Sequence, residues 1–225
     1  MRMRLQEVLY EQIRSYYRKR AERRNRDGLV IHVSDINRDF CLRRFLLCSE
    51  RGLPWRIERK FDMGILMAFR IGEKIEEIIR ECLERYVLDE NFFKLSVGRF
   101  TIQGSADIVV RTKRGKMILE VKSINRSNFE VLQRALPEHE FQLQSYLYLS
   151  QLVGEGFLRH GYVIYVAKEY TPQPIKLFRV ELNDLVKDFY EGLVEGLRLY
   201  ERRKILPKRC QRGCFLSDIC LKEGG

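Results

Sequence analysis

Asp107, Glu120 and Lys122 are the residues whose types and spacing could do chemistry. They lie in or beside two short apolar, β-branched runs, residues 106–110 (Ala-Asp-Ile-Val-Val) and 117–121 (Met-Ile-Leu-Glu-Val). The polar stretch 111–116, with Gly115 inside it, reads as a hairpin loop. A side-chain period of two puts Glu120 and Lys122 on one face of the second strand and Val121 on the other. Asp107 then approaches them from the neighbouring strand. Charged groups at the end of apolar strands are costly without compensation. A divalent cation would compensate them: carboxylate oxygens suit Mg²⁺ or Mn²⁺, which keep several waters, and a nearby lysine can orient or deprotonate one of these. Taken alone, the same residues also fit a surface hairpin with a solvated Glu-Lys pair.

The elements that must position this hairpin follow from periodicity. Residues 2–26 have apolar groups at helical spacing, with Arg14, Arg18, Lys19, Arg20, Arg23, Arg24 and Arg26 on the other face, either a phosphate-contacting surface or a solvated one. Residues 29–33 read as a short strand, and Ser34 as the N-cap of a helix carrying Ile36, Phe40, Cys41, Phe45 and Leu46. Trp55, after Pro54, anchors a loop or stacks on a base. Residues 62–86 predict a long, mostly buried helix with Gly64 and Gly72 at close approaches and Cys82 as a small core residue. One strand is predicted over 92–102, leading into the hairpin. After Lys122 a helical stretch follows Arg126, and Pro137 starts another on which His139, Gln142 and Tyr146 share a face. Strands at 161–167 and 175–181 flank the turn-rich segment 170–174. Asn183 caps a last helix reaching about Lys204, with Val186, Phe189, Leu193, Leu197 and Tyr200 inward.

Composition limits the class of protein. The chain has 225 residues, 45% of them hydrophobic, enough for a sizeable core. Its formal charge of +11 points to an anionic partner, nucleic acid before a membrane surface. No apolar run reaches the roughly 18 residues of a membrane span, and no signal-peptide pattern follows the basic start, so a cytoplasmic location is expected. Six cysteines in such a chain suggest soft-metal ligation rather than disulfides, above all Cys210, Cys214 and Cys220 crowded together, with Cys41 far upstream. Cys48 stands outside that set. No Walker A pattern is present, so any unwinding of a duplex needs a partner.

Read in order, Cys41-Leu-Arg-Arg-Phe45, Gly72 with an acidic residue four later, Gly104-Ser-Ala-Asp107, Glu120-Val-Lys122, Gln142-Leu-Gln-Ser-Tyr146 and the terminal cysteine triplet resemble the RecB-type nucleases with an iron-sulfur cluster. In size and layout the chain is most similar to the CRISPR-associated RecB-like exonuclease family, over residues 34–220. The resemblance implies an α/β fold with a restriction-endonuclease-like core, a central mixed sheet flanked by helices, plus a helical iron-sulfur subdomain built from both ends of the chain. The corresponding division is an N-terminal helical region at 1–60, a nuclease core at 61–182 and a cysteine-rich C-terminal segment at 183–225. It implies Mg²⁺ or Mn²⁺ on Asp107, Glu120 and the Val121 carbonyl. Lys122 would orient the attacking water, and Gln142 and Tyr146 would position the nucleic-acid backbone. The family commonly has His where this chain has Glu76, an oxygen donor that would be a fourth ligand. Cys41, Cys210, Cys214 and Cys220 would hold the cluster. The Cys-x3-Cys-x5-Cys spacing is one residue longer in its first gap than the usual family form, which leaves 4Fe-4S, 2Fe-2S and structural zinc as alternatives. The implied activity is a phosphodiesterase, a 5′ to 3′ exonuclease of single-stranded DNA or DNA ends, with endonucleolytic trimming, in CRISPR spacer acquisition beside integrase proteins. The alternatives are the same chemistry in recombination, repair or viral DNA processing, and a non-catalytic DNA-binding module.

Overall fold

The computed structural model describes residues 7–13, 15–16, 29–36, 40–53, 63–208 and 220. Residues 7–13 and 15–16 are helical, in keeping with the expected amphipathic helix; Arg14, Arg18 and the other basic residues of that helix lie outside the described residues, as does Trp55. Strand β1 (Val30–His32) runs into a 3-10 turn, Val33–Asp35. Ser34 sits inside that turn and does not cap a helix. Helix α1 spans Leu42–Glu50 and is capped by Cys41, whose sulfur accepts the Arg44 N–H at 3.5 Å. Helix α2 covers Met63–Cys82, and β2 (Val87–Leu88) follows a short 3-10 turn.

The strand expected at 92–102 is a hairpin. β3 (Phe92–Val97) and β4 (Phe100–Ser105) pair antiparallel about Gly98, whose φ of 56° permits the tight reversal. β5 (Ile108–Thr112) and β6 (Gly115–Ile124) form the hairpin predicted from the apolar runs. Then come α3 (Arg126–Val131), capped by Asn125, and α4 (Pro137–Val153), with Pro137 in its first turn. β7 (His160–Ala167), β8 (Ile175–Glu181) and α5 (Asp184–Arg203) close the described core. Asn183 caps α5 as expected.

Among the described residues two sheets result where one was expected. The order β1-β4-β3 makes a three-stranded sheet, and β2-β5-β6-β7-β8 a five-stranded one; each is mixed, β1 lying parallel to β4 and β6 parallel to β7. The chain leaves the first sheet at Ser105 and enters the second at Ile108. Across that break Asn91 and Ala106 bond twice, Ala106 N–H to the Asn91 carbonyl at 2.9 Å and Asn91 Nδ2 to the Ala106 carbonyl at 2.9 Å. These two bonds satisfy main-chain groups at the break that a continuous ladder would have used.

Helix α4 lies between the two sheets and against α5, so every residue from Leu143 to Ser150 is buried. Its polar groups are satisfied locally: Ser145 Oγ donates to the Phe141 carbonyl at 2.7 Å, and Gln144 Oε1 accepts the Asn183 N–H at 3.2 Å. The other face of the five-stranded sheet is covered by α2 through Ile75 and Ile79, against Ile108, Val110, Leu119, Val121 and Ile164. Beyond that stripe Leu66 alone among the helix's described apolar residues is fully buried. Ile65, Met67, Phe69, Ile71 and Ile78 are exposed and Cys82 is exposed as well, so α2 is amphipathic rather than mostly buried and Cys82 is not a core residue. On α5 the inward aromatic is Tyr190, fully buried, while Phe189 is half-exposed and meets Phe141 edge-on. Among the described residues no helix is long and apolar enough to cross a membrane.

Gly104 is required by packing. A Cβ there would stand 2.9 Å from a ring carbon of Tyr146 and 3.0 Å from Val33, both buried. Gly104→Ala is therefore expected to cost about 1–3 kcal/mol by overpacking, readable as a lower midpoint in chemical denaturation with an unchanged m-value.

Candidate active site

The antiparallel ladder of β5 and β6 ends at the pair Ile108–Leu119. One residue earlier Asp107 is outside the strand, which corrects the expectation of a strand beginning at 106. Its carboxylate takes over where the ladder stops: Oδ2 accepts the Val121 N–H at 2.7 Å. A residue in a strand directs its N–H and C=O to the same neighbour, so the Val121 carbonyl also faces the Asp107 side. Glu120 and Lys122 share the opposite side-chain face of β6, and Lys122 Nζ lies 2.5 Å from Glu120 Oε1. Glu120 is wholly buried and its Oε2 has no hydrogen-bond partner.

Three carboxyls crowd at this point. Burial, and then the charge of Asp107, raise Glu120 to about 8. Burial also raises Asp107, opposed by Lys122 and the Val121 N–H. Glu76, one turn beyond Gly72, is raised to about 7 by burial and by Asp107. The Lys122 ammonium is held above its usual range: burial opposes the charge, but Glu120 and Asp107 outweigh it. Without a cation, protons must neutralise part of this cluster. Arg80 completes the wall, donating to the Asp107 carbonyl and standing 3.9 Å from Glu76.

Tyr146 is buried behind the carboxyls, its hydroxyl pushed up by burial and by Glu120 and hydrogen-bonded to Gln142. His139 faces another way. Its Nδ1 is 2.8 Å from the Tyr165 hydroxyl, which also accepts the Leu136 N–H at 2.9 Å. Burial, and then the Lys122 charge, hold His139 down at about 4. The imidazole is therefore neutral at pH 7 and shares one hydrogen bond with the Tyr165 hydroxyl through Nδ1.

Glu76, Asp107, Glu120, Val121, Lys122, Gln142 and Tyr146 thus converge, although they come from α2, the inter-sheet break, β6 and α4. Arg80 and Tyr165 were not anticipated. Arg80 carried a signal, four residues after Glu76 on one helix face; Tyr165 carried none, because its proximity depends on the parallel register that pairs it with Lys122. Among the described residues no three His, Cys, Asp or Glu side chains are set as a ready metal cage. The donor set nevertheless fits a hard divalent cation in its chemistry: carboxylate oxygens, one of them an orphaned buried atom, beside a main-chain carbonyl.

Of the cysteines predicted to bind a cluster, Cys41 caps α1, and the Cys220 sulfur accepts Arg43 Nε–H at 3.2 Å. Buried Arg43 also donates to the Pro207 carbonyl at 2.8 Å. Cys210 and Cys214 lie outside the described residues. Cys48 is buried.

No protein-family model matches the chain, and no curated protein matches it by sequence. Solved structures do. An alkaline exonuclease, LHK-Exo from Laribacter hongkongensis, superposes with a TM-score of 0.50 at 16% identity, over 80% of this chain and 94% of the exonuclease. The chain is similar in fold to an alkaline exonuclease. The complex of LHK-Exo with dAMP gives a TM-score of 0.52 at 15% identity, covering 79% of this chain and 93% of that one. The crystal structure of SSO0001 gives 0.57 at 18% identity, over 85% of this chain and 88% of that one. The mixed sheets flanked by helices fit a restriction-endonuclease-like fold.

Proposed function

We propose that the chain is a divalent-cation-dependent nuclease that hydrolyses phosphodiester bonds at DNA ends. The observation that carries this reading is the meeting of Asp107, Glu120 and Lys122 at the break between the sheets, with Glu120 Oε2 buried and unpartnered. The likeness in fold to an exonuclease that has been crystallised with dAMP supports it.

Glu76, Asp107, Glu120 and the Val121 carbonyl would hold Mg²⁺ or Mn²⁺, which when bound lowers the pKa of water and neutralises phosphodiester charge. Lys122, held as an ammonium against Glu120, orients the incoming water and stabilises the charge that develops on the phosphorus oxygens. Gln142 and Tyr146 support the backbone of the bound strand. Arg80 fixes the main chain at Asp107 so that its carboxylate stays on the Val121 side.

The finer reading is a 5′ to 3′ exonuclease of single-stranded DNA, with endonucleolytic trimming, acting in the cytoplasm with CRISPR integrase proteins during spacer acquisition. It rests on the motif order and on the +11 charge. An iron-sulfur cluster on Cys41, Cys210, Cys214 and Cys220, 4Fe-4S in the first instance, belongs to the same reading. Cys41 and Cys220 each already accept an N–H hydrogen bond, of the kind that ligating sulfurs take.

Digestion of 5′- and 3′-labelled single strands with Mg²⁺, Mn²⁺ or EDTA, beside an anaerobic absorption spectrum and iron count, tests both parts. Cleavage that persists in EDTA overturns the metal reading, and colourless, iron-free protein overturns the cluster. Thermal unfolding adds a measure independent of activity. Mg²⁺ or Mn²⁺ is expected to raise Tm, and more at pH 8.5 than at pH 6, because a cation must displace protons from carboxyls held up at about 7 and about 8. An equal shift at both pH values would place the cation elsewhere.

A further inference from the structure

We infer that the outward face of the β3–β4 hairpin is a track for single-stranded DNA, on which the Phe92 ring stacks a base next to the phosphate held at Asp107 and Glu120. This rests on the nuclease reading above for its substrate class. Phe92 is 55% exposed, on a strand whose next residue, Phe93, is buried. One exposed aromatic is ordinary on a protein surface. The place of this one is what assigns it a role.

Phe92 pairs with Ser105, and Ser105 stands two residues before Asp107. At about 3.3 Å per residue along a strand and roughly 5 Å between strands, the Phe92 main chain lies on the order of 8 Å from that of Asp107. That is about the reach from a phosphate across its sugar to the base. The spacing is fixed, because Asn91, next to Phe92, bonds both main-chain groups of Ala106, next to Asp107, each at 2.9 Å. From the inner side Phe93 meets the Tyr146 ring at 6.2 Å and the Phe157 ring at 5.4 Å, and this holds β3 with Phe92 outward.

The site is reached from the same side. Helix α4 packs on the inner faces of both sheets, and α2 covers the opposite face of the five-stranded one. Glu76 and Arg80 of α2 are partly exposed beside Asp107, whereas Tyr146 of α4 is buried. A strand that approaches the carboxyls past α2 therefore comes from the side to which Phe92 also points, away from α4.

The chemistry of the face suits one strand of a polyanion. Phe92, Lys94 and Ser96 alternate outward on β3, opposite Ser105, Gln103 and Thr101 on β4. These six residues offer a ring, an ammonium, an amide and three hydroxyls, and no carboxylate. Lys94 lies two residues beyond Phe92, roughly 7 Å further from Asp107, where it meets the phosphate of a neighbouring nucleotide. Stacking on a side-chain ring needs a base freed from its own partners, and it accepts every base. The track is accordingly selective for single strands and tolerant of sequence.

The test reads binding of a labelled single strand, and of a duplex of the same length, by fluorescence anisotropy in the Asp107→Asn background, and cleavage in the wild-type background. Phe92→Leu keeps an apolar side chain and removes the π-face, and at so exposed a position it leaves the fold intact. It is expected to lose about 10-fold in single-strand affinity and in kcat/KM, the worth of one stacked base, and about 2-fold or less on the duplex. Phe92→Trp retains a π-face and is expected to stay within about 2-fold of the parent chain. Lys94→Gln should reduce the slope of log affinity against log salt by about 0.7, as one lost phosphate contact on a single strand requires. Undiminished single-strand binding by Phe92→Leu, equal losses in Phe92→Leu and Phe92→Trp, or an equal loss on the duplex overturns the track whatever the cleavage result. Ring-dependent binding without cleavage by the wild type upholds the track and overturns the nuclease reading instead.

Discussion

Lys122→Met is expected to lower metal-dependent cleavage by on the order of 10³-fold or more while leaving the chain folded. The two halves of this result have separate causes. Activity is lost because the ammonium at 2.5 Å from Glu120 is the cationic group on the reacting face of β6. Stability is kept because Glu120, already raised to about 8 beside its lysine, can take up a proton when the lysine is gone. A buried ion pair broken on one side is costly only while the remaining group stays charged. The loss of stability should therefore be small at pH 6.5 and grow above pH 8. The double substitution Glu120→Gln with Lys122→Met should remove that pH dependence. Cleavage within 10-fold of wild type, measured on labelled single strands under Mg²⁺, would remove Lys122 from the mechanism. Global unfolding of Lys122→Met at pH 6.5 would show that Glu120 retains its charge.

The second large effect concerns acid stability. His139 titrates near 6.5 in an unfolded chain and is held down at about 4 in the folded one, by burial and by Lys122. A depressed folded value means that the unfolded state binds more protons between these limits. The stabilisation is complete above pH 6.5 and is lost as pH falls towards 4, by about 3 kcal/mol in all. Glu76 and Glu120 act with the opposite sign, being raised in the folded chain, so total stability against pH mixes the two. The difference between wild type and His139→Gln isolates the histidine, since the carboxyls are common to both. Glutamine, with both a donor and an acceptor, can still hydrogen-bond the Tyr165 hydroxyl. Urea denaturation should find the two chains alike to within about 1 kcal/mol at pH 7.5, with the variant gaining on the wild type as pH falls to 4. Parallel curves would mean that His139 is protonated in place.

Much of this site was legible before folding was considered. The β5–β6 hairpin follows from two β-branched runs about Gly115, and the common face of Glu120 and Lys122 follows from the strand period. Asn183 and Pro137 mark helix starts because each answers a purely local need, a free N–H to cap and a missing N–H to place. What escaped was non-local. The break that puts Asp107 ahead of β5 is fixed by Asn91, well upstream, and periodicity holds no trace of that pairing. Phe189 and Tyr190 are adjacent, and only the packing of α4 decides that Tyr190 goes inward. On α2 the apolar residues outnumber those the sheet can cover, so composition overstated its burial. The second sheet was hidden differently: the inward positions shift from 93, 95 and 97 to 100, 102 and 104 across Gly98, a change of phase that marks the reversal but not the pairing with β1.

Arg43 reaches across 177 residues to the Cys220 sulfur, beside the turn that Cys41 begins. Any bond closed between these ends gathers nearly the whole chain into one ring. By loop-closure entropy such a ring would deny the unfolded chain about 5 kcal/mol of freedom. Opening it would then be felt everywhere at once, as a fall in global resistance to unfolding rather than as fraying of a tail.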